Sequence, residues 1–501
     1  MKQIFFLITL LISFTSCKKV FKDDTQNTLI INNTDDLASA IAGLNYRFAY
    51  SIVGTPFYYY ISFINSDDLA VVNGFQNCNE YLNLGALEYQ TGPDYFWKSL
   101  YQTIISANNI LNKALNLGRN NAEIRNMIGE VYFIRAYTYF RLVRYFGQVP
   151  IINDINVNYT VKKPRFKDIY NFILSDLQNA INLLPGSNKE ARIPYNTPHR
   201  GTAKVLMAEV YLNMGGYPLK QPEMYSLAAT TAKEVMDSAA YFGYGLLPDL
   251  ANLWNGTQEL NSESVYTLYF QDVDFNNEFE FTFNAESYNG AYLDFRIFLY
   301  SIAGIQLYKN FPDSYRKNIT YRSQKILPDG WYSDTASLPK KINICDGGND
   351  VAFKKNYNPF LSELLNEQKG RTVYLLRFAR TLLTFAEAKA RSGNMDASAY
   401  DAINQVRRRA NKVDLFSPSK YDLQPGLTSE QFADSVVWER ALEFCGEPES
   451  RSFDLLRLEM MGQLNKLKFP GQGSTSVMLV DPTTFFIPIP EADKVLNPNL
   501  N

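Results

Sequence analysis

Residues Glu130–Ile152, EVYFIRAYTYFRLVRYFGQVPII, are apolar on almost every side of the helix they would form. Tyr132, Ala136, Tyr139, Phe140, Val143 and Phe146 recur at spacings of three and four and make one face. Phe133, Ile134, Tyr137, Leu142 and Tyr145 fill the other, interrupted by Arg135, Arg141 and Arg144. Such a helix has no face to offer water, so it must be packed between neighbours. Its guanidiniums then need buried acceptors, since an unpaired charge in an apolar interior is costly. Acids such as Glu130 or Glu387 are the expected partners, and the arginines read as structural anchors. Gly147 is placed to end the helix and Pro150 to keep it ended. A many-helix body with this element inside is the consequence.

The rest of the chain supplies those neighbours. Thr34-Asp35-Asp36 caps a helix through about Tyr50, and Asp94 starts one over Tyr95–Leu117. The spacing predicts further helices over Asp168–Leu184, Arg200–Met214, Tyr225–Ser238, Tyr374–Arg391 and Ala399–Ala410. Turns such as Gly215-Gly216-Tyr217 and Gly393-Asn394 join them. Helix, tight turn, then a second helix with small Ala at the crossing resembles a degenerate tetratricopeptide repeat. Four such pairs would form a scaffold. Tyr241–Gly370 differs: Val265–Phe270 and Phe279–Phe283 alternate like short strands in a stretch rich in Asn, Gly, Pro and Asp. A loop-rich insertion in a helical scaffold is where a binding surface is expected.

Composition narrows the function. The formal net charge of −2 on 501 residues argues against nucleic acid as a partner. Tyr and Phe number 34 each, and one histidine serves the whole chain. With that single His199 placed after Pro198 at a helix start, capping or a surface position suits it better than catalysis. Cys17, Cys78, Cys345 and Cys445 lack the close spacing of a zinc or redox site. Asp346-Gly347-Gly348-Asn349-Asp350 lacks the alternating ligands of a calcium loop and reads as a solvated turn. No cofactor, metal or catalytic constellation is called for.

The first residues, MKQIFFLITLLISFTSC, carry Lys2, an apolar run Ile4–Phe14 and small residues before Cys17. The run is short of the ~20 residues a membrane span needs and reads as an export signal. Thr15-Ser16-Cys17 resembles a bacterial lipobox, which implies that Cys17 is lipidated. The expected organisation is a signal peptide (1–16), a lipidated flexible tether (17–28), a helical part (29–240), the loop-rich insertion (241–370) and a closing helical part (371–501).

Six stretches, in order, resemble the SusD/RagB family of Bacteroidetes nutrient-uptake lipoproteins. They are Leu37–Tyr46 (LASAIAGLNY), Trp97–Leu111 (WKSLYQTIISANNIL), the arginine-bearing helix, Ala203–Tyr217 (AKVLMAEVYLNMGGY), Tyr374–Arg409, and Phe486–Asn499 (FIPIPEADKVLNPN). Two departures stand out. Arg380 occupies a position where the family usually has Glu, and about three extra residues lie between Gly446 and Arg451. The resemblance implies a mainly α, SusD-like fold. It implies a non-enzymatic lipoprotein, anchored on the outer membrane and exposed at the cell surface, that delivers oligosaccharide to a SusC-like TonB-dependent transporter. Some relatives carry peptide instead, which is the alternative cargo. Ligand positions are expected in irregular segments: Asp67 and Asp68, Tyr89 in the stretch running to Tyr95, and Trp331 with Tyr332 after the Pro328-Asp329-Gly330 turn. There flat rings would stack on sugar faces, or else pack the insertion onto the helices. Trp97 and Trp254 are expected in the core.

Overall fold

A computed structural model describes residues 29–53, 66, 69–71, 92–114, 117, 121–154, 160–254, 260–269, 301–303, 307, 310–322, 324–325, 332–334, 352–353, 372–460 and 485–501. The protein is mainly helical. Helices α1 (Thr34–Val53), α2 (Gly92–Ala114), α3 (Ala122–Phe146), α4 (Phe166–Leu183), α5 (Arg200–Gly215) and α6 (Met224–Asp237) each pack on the next. Helix α7 (Phe378–Arg391) then packs against α6, and α8 (Ala397–Ala410) and α9 (Ser429–Glu443) pack against α7. Two short helices, α10 (Arg451–Arg457) and α11 (Glu491–Leu496), follow. One apolar cluster runs from Ile31 to Leu500, so segments near both ends of the chain share a core.

Helix α3 lies inside, as its all-round apolarity requires: twenty of its twenty-five residues are buried. Asn121 caps it by accepting from the Glu123 N–H, and Gly147 ends it at φ +74°. Gly129 admits Leu184 so closely that a Cβ would sit 2.9 Å from its backbone nitrogen. The three arginines are buried and paired, but with other acids than Glu130 and Glu387. Arg135 forks onto Asp176 with two bonds of 2.7 Å. Arg141 and Arg144 share Glu449, and Arg141 also donates to the Ser51 hydroxyl at 2.6 Å. Glu130 takes Arg192 at 2.9 Å, while Glu387 takes Arg457 and Arg391, each at 2.7 Å. The physical reason is reach: residues i and i+3 or i+4 on a packed helix face different neighbours, so each guanidinium meets the acid of the element it touches.

Both departures from the family pattern lie in this buried network. The extra residues after Gly446 include two acids: Glu447 takes Arg377 at 2.8 Å, and Glu449 takes Arg141 and Arg144. Glu449 adopts φ +56°, a region side chains seldom enter, and its ion pairs hold it there. Arg380 lies over the Phe444 ring, 4.6 Å from its centre, with Glu209 at 3.7 Å.

The helix expected over Tyr374–Arg391 is shorter than that. Thr372–Arg377 is a strand, paired antiparallel with Ser264–Tyr269, and the helix starts at Phe378. The TVYLLR segment is apolar and partly β-branched, so a pairing partner decides its conformation. The strand expected at Val265 is present. The remaining strands are two or three residues long and pair as Leu69–Val71 with Ser301–Ala303, Tyr321–Arg322 with Ala352–Phe353, and Gln324–Lys325 with Tyr332–Asp334. Trp97 is buried. Trp254 is only half-buried, its ring edge-on to Tyr374 in a small second cluster. His199 is buried and caps α5, its Nδ1 accepting from the Gly201 N–H at 3.1 Å.

Candidate functional site

A cleft of about 650 Å³ opens between the first turns of α2, the chain around Pro150–Asp154, and the C-terminal segment from Pro490. Helix α2 supplies one wall, because Asp94, Lys98, Tyr101 and Ile105 are spaced by three and four and share a face. Tyr95 stands at the mouth, 58 % exposed, with Leu496 of α11 at 60 % and Ile105 at 44 %. Large side chains that exposed around a concave surface are uncommon unless something covers them. Beneath them lies a cluster of rings: Trp97 meets Tyr101, tilted, at 4.6 Å between centres and Phe146, edge-on, at 4.9 Å.

The walls are held by hydrogen bonds that reach back to the interior helix. Arg135 donates to Asn108 Oδ1 at 2.7 Å, which turns the Asn108 amide nitrogen toward the Ile152 carbonyl at 2.8 Å. Tyr139 donates to the same carbonyl at 3.0 Å and accepts from the Ile152 N–H at 2.7 Å. Tyr101 donates to the Pro150 carbonyl at 2.9 Å. On the far side Asn497 and Asn499 donate to the Val161 and Thr160 carbonyls at 2.8 and 3.1 Å. The cleft is therefore preformed, its shape fixed by buried contacts.

Among the described residues its charged groups are Asp94, Asp154, Asp493 and Lys98, with Gln102 and Asn497 as neutral polar groups. Partial burial pushes the Asp493 carboxyl above its ordinary range, the Trp97 indole N–H it accepts opposes this, and the nearby Asp94 charge adds to the rise. Burial also lifts the Tyr101 phenol, helped by Tyr139 and Asp493, so it stays a neutral donor. Rings flanked by a few convergent polar groups can bind a flat, hydroxyl-bearing ligand, the rings taking its apolar faces and the acids its hydroxyls. Among the described residues no group of three or more His, Cys, Asp or Glu is arranged to hold a metal.

Asp67, Asp68, Tyr89, Trp331 and Cys17 lie outside the described residues. Tyr332 begins the strand Tyr332–Asp334. Tyr95, the end of the expected Tyr89–Tyr95 segment, does reach the cleft; the contribution of Asp493 and Leu496 was missed. Their signal was the closing NPN, whose asparagines do the stapling.

Residues 22–212 match the family model described as "Starch-binding associating with outer membrane", and residues 354–501 match the one described as "SusD family". The chain belongs to the SusD/RagB family. It is similar to SusD-like protein P2 of Formosa agariphila, with 23% identity over 81% of this chain and 79% of the relative. It has the fold of a SusD homolog from Bacteroides thetaiotaomicron, at a TM-score of 0.77 and 22% identity over 96% of this chain and 98% of the other. Two further structures share the fold. One, described with xylogluco-oligosaccharide, has a TM-score of 0.70 at 20% identity and covers 93% of this chain and 98% of its own. The other, described as a laminarin-binding SusD-like protein, has a TM-score of 0.67 at 22% identity and covers 92% and 97%. The family motifs now have physical roles: Trp97, Tyr101, Asn108 and Asn497 build this cleft.

Proposed function

We propose that this chain is a glycan-binding lipoprotein of the outer membrane, held at the cell surface by lipid on Cys17, that passes oligosaccharide to a SusC-like TonB-dependent transporter. The observation that carries the reading is the preformed cleft with Tyr95 exposed at its mouth above the Trp97–Tyr101 ring pair. Family membership supports the outer-membrane setting, and the two relatives described with xylogluco-oligosaccharide and laminarin support glycan as the ligand class. Among the described residues no helix is long and apolar enough to cross a membrane, so the lipid on Cys17 is the attachment this reading requires. Binding here is recognition without bond cleavage; the single imidazole is committed to a helix cap. Asp67, Asp68, Tyr89, Trp331 and Tyr332 stand as further proposed contacts.

A glycan array tests the proposal. Micromolar to millimolar binding to an oligosaccharide is expected, weakened about tenfold or more by Tyr95→Ala, since one stacked ring contributes on the order of 1–2 kcal/mol. Absence of binding to every glycan, with peptides co-purifying instead, would overturn it in favour of a peptide carrier. Co-purification of the transporter with the lipidated protein tests the delivery step.

A further inference from the structure

One residue of the cleft wall is held from two helices at once, by side chains that do not themselves line the cleft. We infer that Asn108 of α2 and Tyr139 of α3 are positioning residues for ligand binding, which set affinity by clamping Ile152; the inference rests on reading the cleft as the glycan-binding surface. Residues 150–153 belong to no helix or strand, so no backbone ladder fixes them. Ile152 is held instead by side chains. Its carbonyl accepts from the Asn108 amide at 2.8 Å and from the Tyr139 phenol at 3.0 Å, and its N–H donates to that phenol at 2.7 Å. The Asn108 amide can face only one way. Arg135 carries donors and no acceptor, and with Nε and Nη2 on Asp176 it leaves Nη1 for the Asn108 Oδ1 at 2.7 Å. The amide nitrogen is thereby turned to the wall, where it also lies 3.4 Å from the Asp154 carbonyl. Asp176, Arg135, Asn108 and Tyr139 are all buried, so water competes little for these bonds. Ile152 lines the cleft, whereas Asn108 and Tyr139 do not. A wall released from the clamp would sample other positions, and only the fraction in the bound arrangement would take ligand. Apparent affinity falls by that fraction.

Titration calorimetry with laminarin and xyloglucan oligosaccharides, and with the best binder from a broad glycan array, tests this on the full chain. Asn108→Asp keeps an acceptor for Arg135 but removes the donor to Ile152. Tyr139→Phe removes the phenol and keeps the ring against Phe172. Each is expected to bind about fivefold or more weaker, the effect of roughly one lost hydrogen bond, with the stoichiometry unchanged. A purely structural role would instead lower the competent fraction, and so the stoichiometry, and leave Kd as it was. Asn404→Asp makes the same change in a buried amide that holds Leu423 between α8 and α9, and should leave Kd unaltered. An unchanged Kd in either Asn108→Asp or Tyr139→Phe, or an equal loss in Asn404→Asp, would overturn the inference. Should Asn108→Asp fail to fold, Tyr139→Phe decides by the same criterion. Glycan binding that Tyr95→Ala leaves untouched would also overturn it, by placing the ligand elsewhere, while sparing the glycan-binding function. Binding of no glycan by the natural protein would remove that function and this inference with it.

Discussion

Charged side chains gather in two regions of this molecule, and they are treated in opposite ways. Among the described residues every buried acid is matched to a guanidinium: Glu263 and Glu443 bridge Arg377 and Arg409, and Glu387 and Asp454 share Arg457. At the cleft the charged groups among the described residues are Asp94, Asp154, Asp493 and Lys98, set among side chains left open to water. Interior charge holds helices together, whereas the rim charges of Asp94, Lys98 and Asp154 lie exposed at the surface. The pKa directions agree. Burial opposes ionisation of Glu387, yet Arg457 and Arg391 overcome it and hold its carboxyl low. At the rim, burial moves the Asp493 carboxyl up, and neither the Trp97 indole N–H nor the Lys98 charge offsets the rise.

The sharpest way to break this contrast is to unpair an interior charge. Glu449→Ala leaves Arg141 and Arg144 without their shared acid and should cost about 3–5 kcal/mol in chemical denaturation. Arg141→Ala should also act through stability; a variant that folds normally but binds no ligand would show that the interior charge serves binding directly. The second effect is a pH dependence. Burial pushes the His199 imidazole down to about 3, whereas in the unfolded chain it titrates near 6.5. The unfolded state therefore binds the extra proton between those values. The stability from keeping His199 neutral is complete above about pH 6.5 and is lost progressively as pH falls toward 3. Relative to His199→Asn, which retains a capping acceptor, the natural protein should lose about 2 kcal/mol between pH 7 and pH 5. A smaller effect is expected at the interior helix's cap, where Asn121→Ala should cost about 1 kcal/mol. Smallest in stability is the rim: Tyr95→Ala should stay within about 0.5 kcal/mol of the natural protein while weakening ligand binding.

Much of the fold was legible because its signals are local. The Gly147 stop and the apolar stripes lie within a few residues of the elements they define. Thr372–Arg377 was misread because an apolar run carries no period of its own, and its strand partner lies about a hundred residues away. The burial of the arginines could be read from their surroundings, but not their partners: Asp176 is 41 residues from Arg135, and Glu449 is 308 from Arg141. The site was the least legible part for the same reason. Tyr95 was within the expected segment, but the opposite wall comes from the last dozen residues, joined to Val161 across 336 positions.

Hydrogen–deuterium exchange with and without a bound oligosaccharide tests the central claim most directly, since it reads the helices, the rim and the loops in one experiment. Protection is expected over residues 92–105, 150–154 and 490–500, with the interior helices unchanged. Ligand-induced protection that bypasses these three segments would contradict the account.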